Sequence, residues 1–111
     1  MADTSSRETP PRWDFLTNHA HVLLCLRRDP TTRMRDVAAA VGITERAAQR
    51  IVADLVKEKY VTRRRVGRRN VYEVQPARLM RHRLARHRQV GAFLELMLDG
   101  LDLDDLEGTA A

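Results

Sequence analysis

The densest chemistry in this chain is cationic. Ten arginines, at positions 63, 64, 65, 68, 69, 78, 81, 83, 86 and 88, fall within residues 61–90 against the single acid Glu73. Residues 91–111 reverse the sign, with six acids (Glu95, Asp99, Asp102, Asp104, Asp105 and Glu107) and no base. The first sixty residues nearly balance, ten bases to eight acids. Ordinary solvated surface intersperses the two signs, so a long block of one sign, in a chain of net charge +5, points to an anionic partner. Arginine suits that role because its planar fork meets phosphate oxygens and guanine edges bidentately.

Other chemistries find no support. Cys25 is the only cysteine, which rules out an internal disulfide and a four-cysteine zinc site. His19 and His21 lie two apart and His82 and His87 five apart, so neither pair shares a helix face. Structural histidines, an idle thiol and no metal site are therefore expected. The chain lacks a glycine-rich phosphate loop, a nucleophile elbow and paired carboxylates in a cleft. No catalytic residue and no cofactor are expected, and the chain does not read as an enzyme. Met1 to Pro11 is polar, without the apolar run of a secretory signal, and no segment approaches a membrane span. A cytoplasmic protein without a membrane partner is the expectation.

The elements that must position the arginines follow from periodicity. A disordered lead is expected over 1–12, then an apolar patch of Trp13, Phe15 and Leu16, with Thr17 or Asn18 as a helix cap. Ala20, Val22, Leu23 and Leu26 predict a helix over 19–28, stopped by Asp29-Pro30. Residues 31–34 read as a connector or a brief strand. Val37, Ala38 and Val41 predict a second helix over 35–41, closed by Gly42. Thr44 caps a third helix over 45–59, striped by Ala48, Ile51, Val52 and Leu55. Two helices joined by Gly42-Ile43-Thr44 make a helix-turn-helix pattern. The period then changes: 60–65 and 71–74 read as strands around a turn over 66–70, with Gly67 and Asn70 suited to positive φ. Past Pro76, a helix is predicted over 79–98, basic in its first half and apolar in its second, with Gly100 closing it. The fold class is mostly α with a small β-hairpin, a domain over 13–75, a C-terminal helix within 76–100 and an acidic tail over 101–111.

The stripe that packs α-helical residues 45–59 on the core turns Glu45, Arg46, Gln49 and Arg50 outward. Arginine can read guanine and glutamine adenine in a major groove, while Thr44 and the helix N-terminus suit a phosphate. The hairpin brings Arg63, Arg64, Arg65, Arg68, Arg69 and Asn70 to a backbone or a minor groove. Arg78, Arg81, Arg83, Arg86 and Arg88 either extend that footprint or pair with acids of a second subunit. Val90, Phe93, Leu94, Met97 and Leu98, with Trp13, Phe15 and Leu16, form the expected dimerisation surface; docking onto the chain's own domain is the alternative.

The run Met34-Arg35-Asp36-Val37-Ala38-Ala39-Ala40-Val41-Gly42-Ile43-Thr44, the helix from Glu45 to Leu55 and the hairpin from Tyr60-Val61-Thr62-Arg63 to Arg69-Asn70-Val71-Tyr72 carry a resemblance. Over roughly 16–75 the chain resembles the winged helix-turn-helix regulators, in the neighbourhood of the MarR and ArsR families. The cysteine-rich metal motifs of the ArsR sensors are absent. The resemblance implies a transcriptional regulator, a homodimer on a near-palindromic operator. Double-stranded DNA and a second copy of the chain are thus the expected partners, and no residue pattern names a small-molecule effector. The competing readings are a sequence-indifferent architectural or RNA-binding winged module, and a winged helix that binds protein.

Overall fold

A computed structural model of the chain describes residues 13–101. The lead expected over 1–12 and all but Leu101 of the acidic tail lie outside the described residues. The element order is α1 (Asn18–Arg28), α2 (Met34–Val41), α3 (Glu45–Lys57), β1 (Val61–Val66), β2 (Arg69–Val74) and α4 (Val90–Leu98).

Thr17 starts α1: its Oγ1 accepts from the Ala20 N–H at 3.2 Å, which satisfies a donor the first turn leaves open. Val22, Leu23 and Leu26 recur at helical spacing and are buried. Pro30 ends the helix by forcing Asp29 into extended backbone, φ −140° and ψ 94°. The Asp29 carboxylate then accepts from the Thr31 N–H at 3.1 Å and its hydroxyl at 3.0 Å, folding the connector into a turn. The brief strand considered there does not form; one ladder-like bond joins it to the hairpin, from the Tyr72 N–H to the Pro30 carbonyl at 2.9 Å.

Gly42 closes α2 in the left-handed region, φ 86°, which a side chain would resist. Thr44 opens α3 by accepting from the Ala47 N–H at 3.0 Å. Ala48, Ile51, Val52 and Leu55 face inward along α3. The helix stops at Lys57, two residues before the expected end, and Lys59 turns out at φ 67°.

β1 and β2 pair antiparallel from Val61↔Val74 to Val66↔Arg69. The turn is therefore only Gly67-Arg68, tighter than the loop expected over 66–70. Gly67 at φ 63° in the first central position matches a type II′ hairpin, whose twist suits the flanking strands. Asn70 lies in β2 and needs no positive φ.

The long helix expected over 79–98 forms only in its second half. Residues 79–89 instead close a loop through an isolated Leu79↔Gln89 bridge, with the Met80 N–H donating to Arg88 O at 3.1 Å and the Val90 N–H to Arg78 O at 2.7 Å. A helix there would stack Arg78 on Arg81 and Arg83 on Arg86, like charges three apart, without an apolar stripe to offset the repulsion. α4 begins where that stripe begins. Its first turn sits on Pro76, and the Gly91 N–H donates to Pro76 O at 2.8 Å. Gly91 is required because a Cβ there would stand 2.5 Å from Pro76 Cβ. Gly100, at φ 82°, follows the helix as expected.

One core joins all elements: Val22 and Leu26 of α1, Val37 of α2, Val52 of α3, Val61 of β1 and Leu94 of α4 are its largest fully buried side chains. Burying such side chains contributes about 1.5–3 kcal/mol each before chain entropy is counted.

Candidate nucleic-acid interface

α3 has one committed face and one free face. Since Ala48, Ile51, Val52 and Leu55 point into the core, Arg46, Gln49 and Arg50 must point away, and Glu45, Arg46, Gln49 and Arg50 are all exposed. Among the described residues none of these four side chains makes a hydrogen bond or ion pair with the protein. They are open to an external donor or acceptor. Thr44 spends its oxygen on the cap, yet its O–H remains a donor at the positive end of the helix dipole.

The hairpin supplies a second set. Val61, Tyr72 and Val74 anchor its base in the core, and every residue from Thr62 to Arg69 is exposed. Strand alternation puts Arg63 and Arg65 on the face shared with Val61 and Arg64 on the other. The expected arginines thus stand on both faces and at the tip. Among the described residues, Arg63, Arg64 and Arg68 have no hydrogen-bond or ion-pair partner. Arg65 reaches only the Gly67 carbonyl, at 3.4 Å.

Arg69 differs from the others. Its guanidinium donates to the Thr31 carbonyl, so it braces the hairpin against the α1–α2 connector. No sequence signal marks this contact, because its partners are 38 residues apart. Asn70 is half-buried and pairs with Arg65 in the ladder.

The loop arginines do not form a helical face. Arg78 lies over the Tyr60 ring, 5.6 Å from its centroid, and donates from Nε to Glu58 O at 3.1 Å. Arg81 comes within 4.0 Å of the Glu58 carboxylate. Arg83, Arg86 and Arg88 are exposed and make no ion pair among the described residues.

Of the expected dimerisation residues, Val90 (5 % exposed) and Leu94 (0 %) belong to the core of this chain and cannot reach a partner. Their burial follows from Gly91 pulling α4 onto Pro76. Trp13 (70 %), Phe15 (92 %) and Met97 stay exposed, while Leu16, Phe93 and Leu98 are half-buried. Trp13 and Phe15 stack edge to face, with centroids 5.2 Å apart. Phe15, Leu16 and Phe93 line one groove of about 780 Å³, so the N-terminal patch and α4 do come together.

His19 bonds Asp54 at 2.9 Å across α1 and α3, and Arg27 pairs with Glu95 at 3.0 Å across α1 and α4. Both contacts tie elements together at the surface. Cys25 is half-buried, and burial pushes its thiol above the ordinary value, only partly offset by the nearby Arg28 charge. Among the described residues no cluster of three potential metal ligands occurs.

A family model described as the MarR family matches residues 13–69, just over half of the chain. Among solved structures, the PcaV transcriptional regulator from Streptomyces coelicolor, in complex with its natural ligand, aligns with a TM-score of 0.50 and 23 % identity. That alignment covers 81 % of this chain and 65 % of PcaV, so the chain spans about two thirds of the PcaV length. MepR, a transcription regulator of the Staphylococcus aureus multidrug efflux pump MepA, aligns with a TM-score of 0.49 and 14 % identity, over 96 % of this chain and 80 % of MepR. A comparison with curated proteins gave no match.

Proposed function

Because the chain belongs to the MarR family, we propose that it is a sequence-specific DNA-binding transcriptional regulator that acts as a homodimer in the cytoplasm. The observation that carries this reading is the pairing of two unsatisfied sets. Arg46, Gln49 and Arg50 project from the first half of α3, and Arg63, Arg64 and Arg68 project from the hairpin that follows it. A major groove about 12 Å wide admits a helix, and that half of the helix is the part that meets base edges in helix-turn-helix docking. Arg46 and Arg50 read guanine and Gln49 reads adenine, while Thr44 and the α3 N-terminus hold a phosphate. The wing arginines neutralise backbone phosphates or enter a narrow minor groove.

No described helix is long and apolar enough to cross a membrane, which is consistent with a protein that works on DNA. The exposed Trp13, Phe15 and Met97 favour a second copy of the chain as the other partner. A two-fold reader then meets a near-palindromic site in two successive major grooves.

The test is a gel-shift titration on a duplex selected from a random pool. Arg50→Ala weakens binding to that duplex by about 1–3 kcal/mol and relaxes the base preference at one position. Arg68→Ala weakens selected and scrambled duplexes alike. Equal affinity of the wild-type chain for scrambled duplex or RNA leaves the sequence-indifferent module, and no duplex binding leaves the protein-binding winged helix.

A further inference from the structure

One concavity lies outside the reading surface and shares a single residue with it, Arg63. It is a groove of about 970 Å³ between the C-terminal end of α3, the base of β1 and the turn after Pro76. Sites for small ligands span about 300–1,000 Å³, so this one has room for more than a single ion. α3 has 13 residues and β1 six, which sets the floor of the groove at Lys59 roughly 20 Å from both the α3 N-terminus and the wing tip. A duplex docked on those far ends leaves the groove open.

Four cations line it, Lys59, Arg63, Arg78 and Arg81, against one acid, Glu58, an excess of three positive charges. Like charges gathered in one concavity repel, and the fold explains only one of the four. The C-terminus of α3 accounts for Arg78, whose Nε donates to the Glu58 carbonyl at 3.1 Å. That bond and the Tyr60 ring fix the guanidinium, while its two terminal nitrogens have no protein partner among the described residues. The side chains of Lys59 and Arg63 have none there either. Arg81 approaches Glu58 only at 4.0 Å with 71 % of its side chain exposed, a contact of little strength. Lys59 stands at φ 67° just past α3, where its N–H donates to Val56 O at 3.1 Å and the Tyr60 N–H to Leu55 O at 2.9 Å. Glycine ordinarily occupies that place in this helix-ending motif. A lysine there keeps its charge at the groove despite the backbone strain.

We propose that this groove binds a small molecule carrying two or more phosphates, with Arg78 as the fixed fork and Lys59, Arg63 and Arg81 around it. An arginine fork meets phosphate oxygens bidentately, and a single carboxylate would neutralise only one of the three excess charges. Tyr60, the aromatic ring of the groove, is 6 % exposed and roofed by Arg78, so it offers no face on which an aromatic acid could stack. Arg63 couples the groove to DNA. Its side chain cannot hold a groove phosphate and a backbone phosphate of the duplex together, so ligand and duplex oppose each other. The site stands on its own residues; the coupling alone rests on the DNA-binding reading given above.

The probe is inorganic tripolyphosphate, titrated calorimetrically into the full-length chain at a fixed ionic strength of about 0.15 M. The wild type binds one equivalent per chain. Lys59→Gly combined with Arg81→Gln removes two of the four cations, and the dissociation constant rises roughly ten-fold. Glycine suits the left-handed position, so the melting temperature of this double variant does not fall. Screening acts over about 8 Å at that salt, well short of the α3 N-terminus, so without probe the double variant binds duplex as the wild type does. Probe at about ten times its wild-type dissociation constant weakens duplex binding by the wild type, and by the double variant less. Wild type without saturable probe binding, or a double variant that binds the probe as tightly as the wild type, overturns the site. Benzoate bound as tightly as tripolyphosphate overturns the phosphate assignment. A double variant that loses duplex affinity with no probe present makes the groove a contact to the DNA backbone, and the proposal falls. A chain that binds tripolyphosphate in the groove but binds no duplex upholds the site and overturns the coupling, together with the DNA-binding reading.

Discussion

Arg68→Ala tests the phosphate contact proposed for the wing. Arg68 is the second residue of the two-residue turn, exposed, and without a protein partner among the described residues. Its loss should change folding stability by no more than about 0.5 kcal/mol, the ordinary range for an exposed side chain free of special contacts. Its loss from a DNA complex is different in kind. Each phosphate contact adds about 0.9 to the slope of log affinity against log salt, so removing one lowers the slope by that amount. Between about 50 and 200 mM salt, a four-fold rise, one contact makes a factor of about 3.5 in affinity, and the variant should lose that much less than the wild type. Arg69→Ala is the control, because Arg69 is spent on the Thr31 carbonyl. It should cost about 1 kcal/mol of stability, read as a fall of about 4–8 °C in melting temperature, where Arg68→Ala costs almost none. The assay is a fluorescence-anisotropy titration at four or more salt concentrations beside a thermal melt. An unchanged slope for Arg68→Ala refutes the phosphate role, and a slope change matched by a melting change refutes its independence from folding.

Three further outcomes follow from local geometry. Thr44→Ala removes the α3 cap and should lower stability by about 1 kcal/mol in urea unfolding, with Thr44→Ser restoring most of it. Gly91→Ala drives a Cβ to 2.5 Å from Pro76 Cβ and 2.8 Å from Pro76 O, neither able to swing aside. It should destabilise by about 1–3 kcal/mol, and an unchanged melt would mean that α4 shifts freely on Pro76. Cys25 has a raised thiol pKa from burial, so the native chain should label with a thiol reagent more slowly than the urea-unfolded chain at mildly alkaline pH. Because the unfolded thiol ionises first, raising the pH through its ordinary range removes stability; equal labelling rates in both states would contradict the burial.

Those elements whose signals are local were legible in the sequence. Thr17 and Thr44 cap, Pro30 and Gly42 stop, and Gly67 turns, each within a few residues of the hydrogen bond that explains it. The free face of α3 was legible for the same reason, since four apolar side chains at helical spacing decide where Arg46, Gln49 and Arg50 point. The segment 79–89 was not. What decides it are the Leu79↔Gln89 bridge and the seat of Gly91 on Pro76, both made across a loop rather than along a helix. Periodicity read forward from Leu79 cannot see either. The brace from Arg69 to Thr31 was hidden in the same way, so one of five wing arginines was given to DNA when its guanidinium holds the wing in place. Val90 and Leu94 looked like an interface stripe because sequence alone does not say whether an apolar face meets its own core or another chain.

The central claim is that α3 reads bases while the wing holds phosphates. Selection of bound duplexes from a random pool, at one fixed salt concentration, tests it most directly. The account predicts an enriched near-palindrome whose half-sites are separated by about one helical turn, 10–10.5 base pairs, with a guanine-containing core that Arg50→Ala blurs. A pool that emerges without an enriched sequence, bound as tightly as at the start, would contradict it.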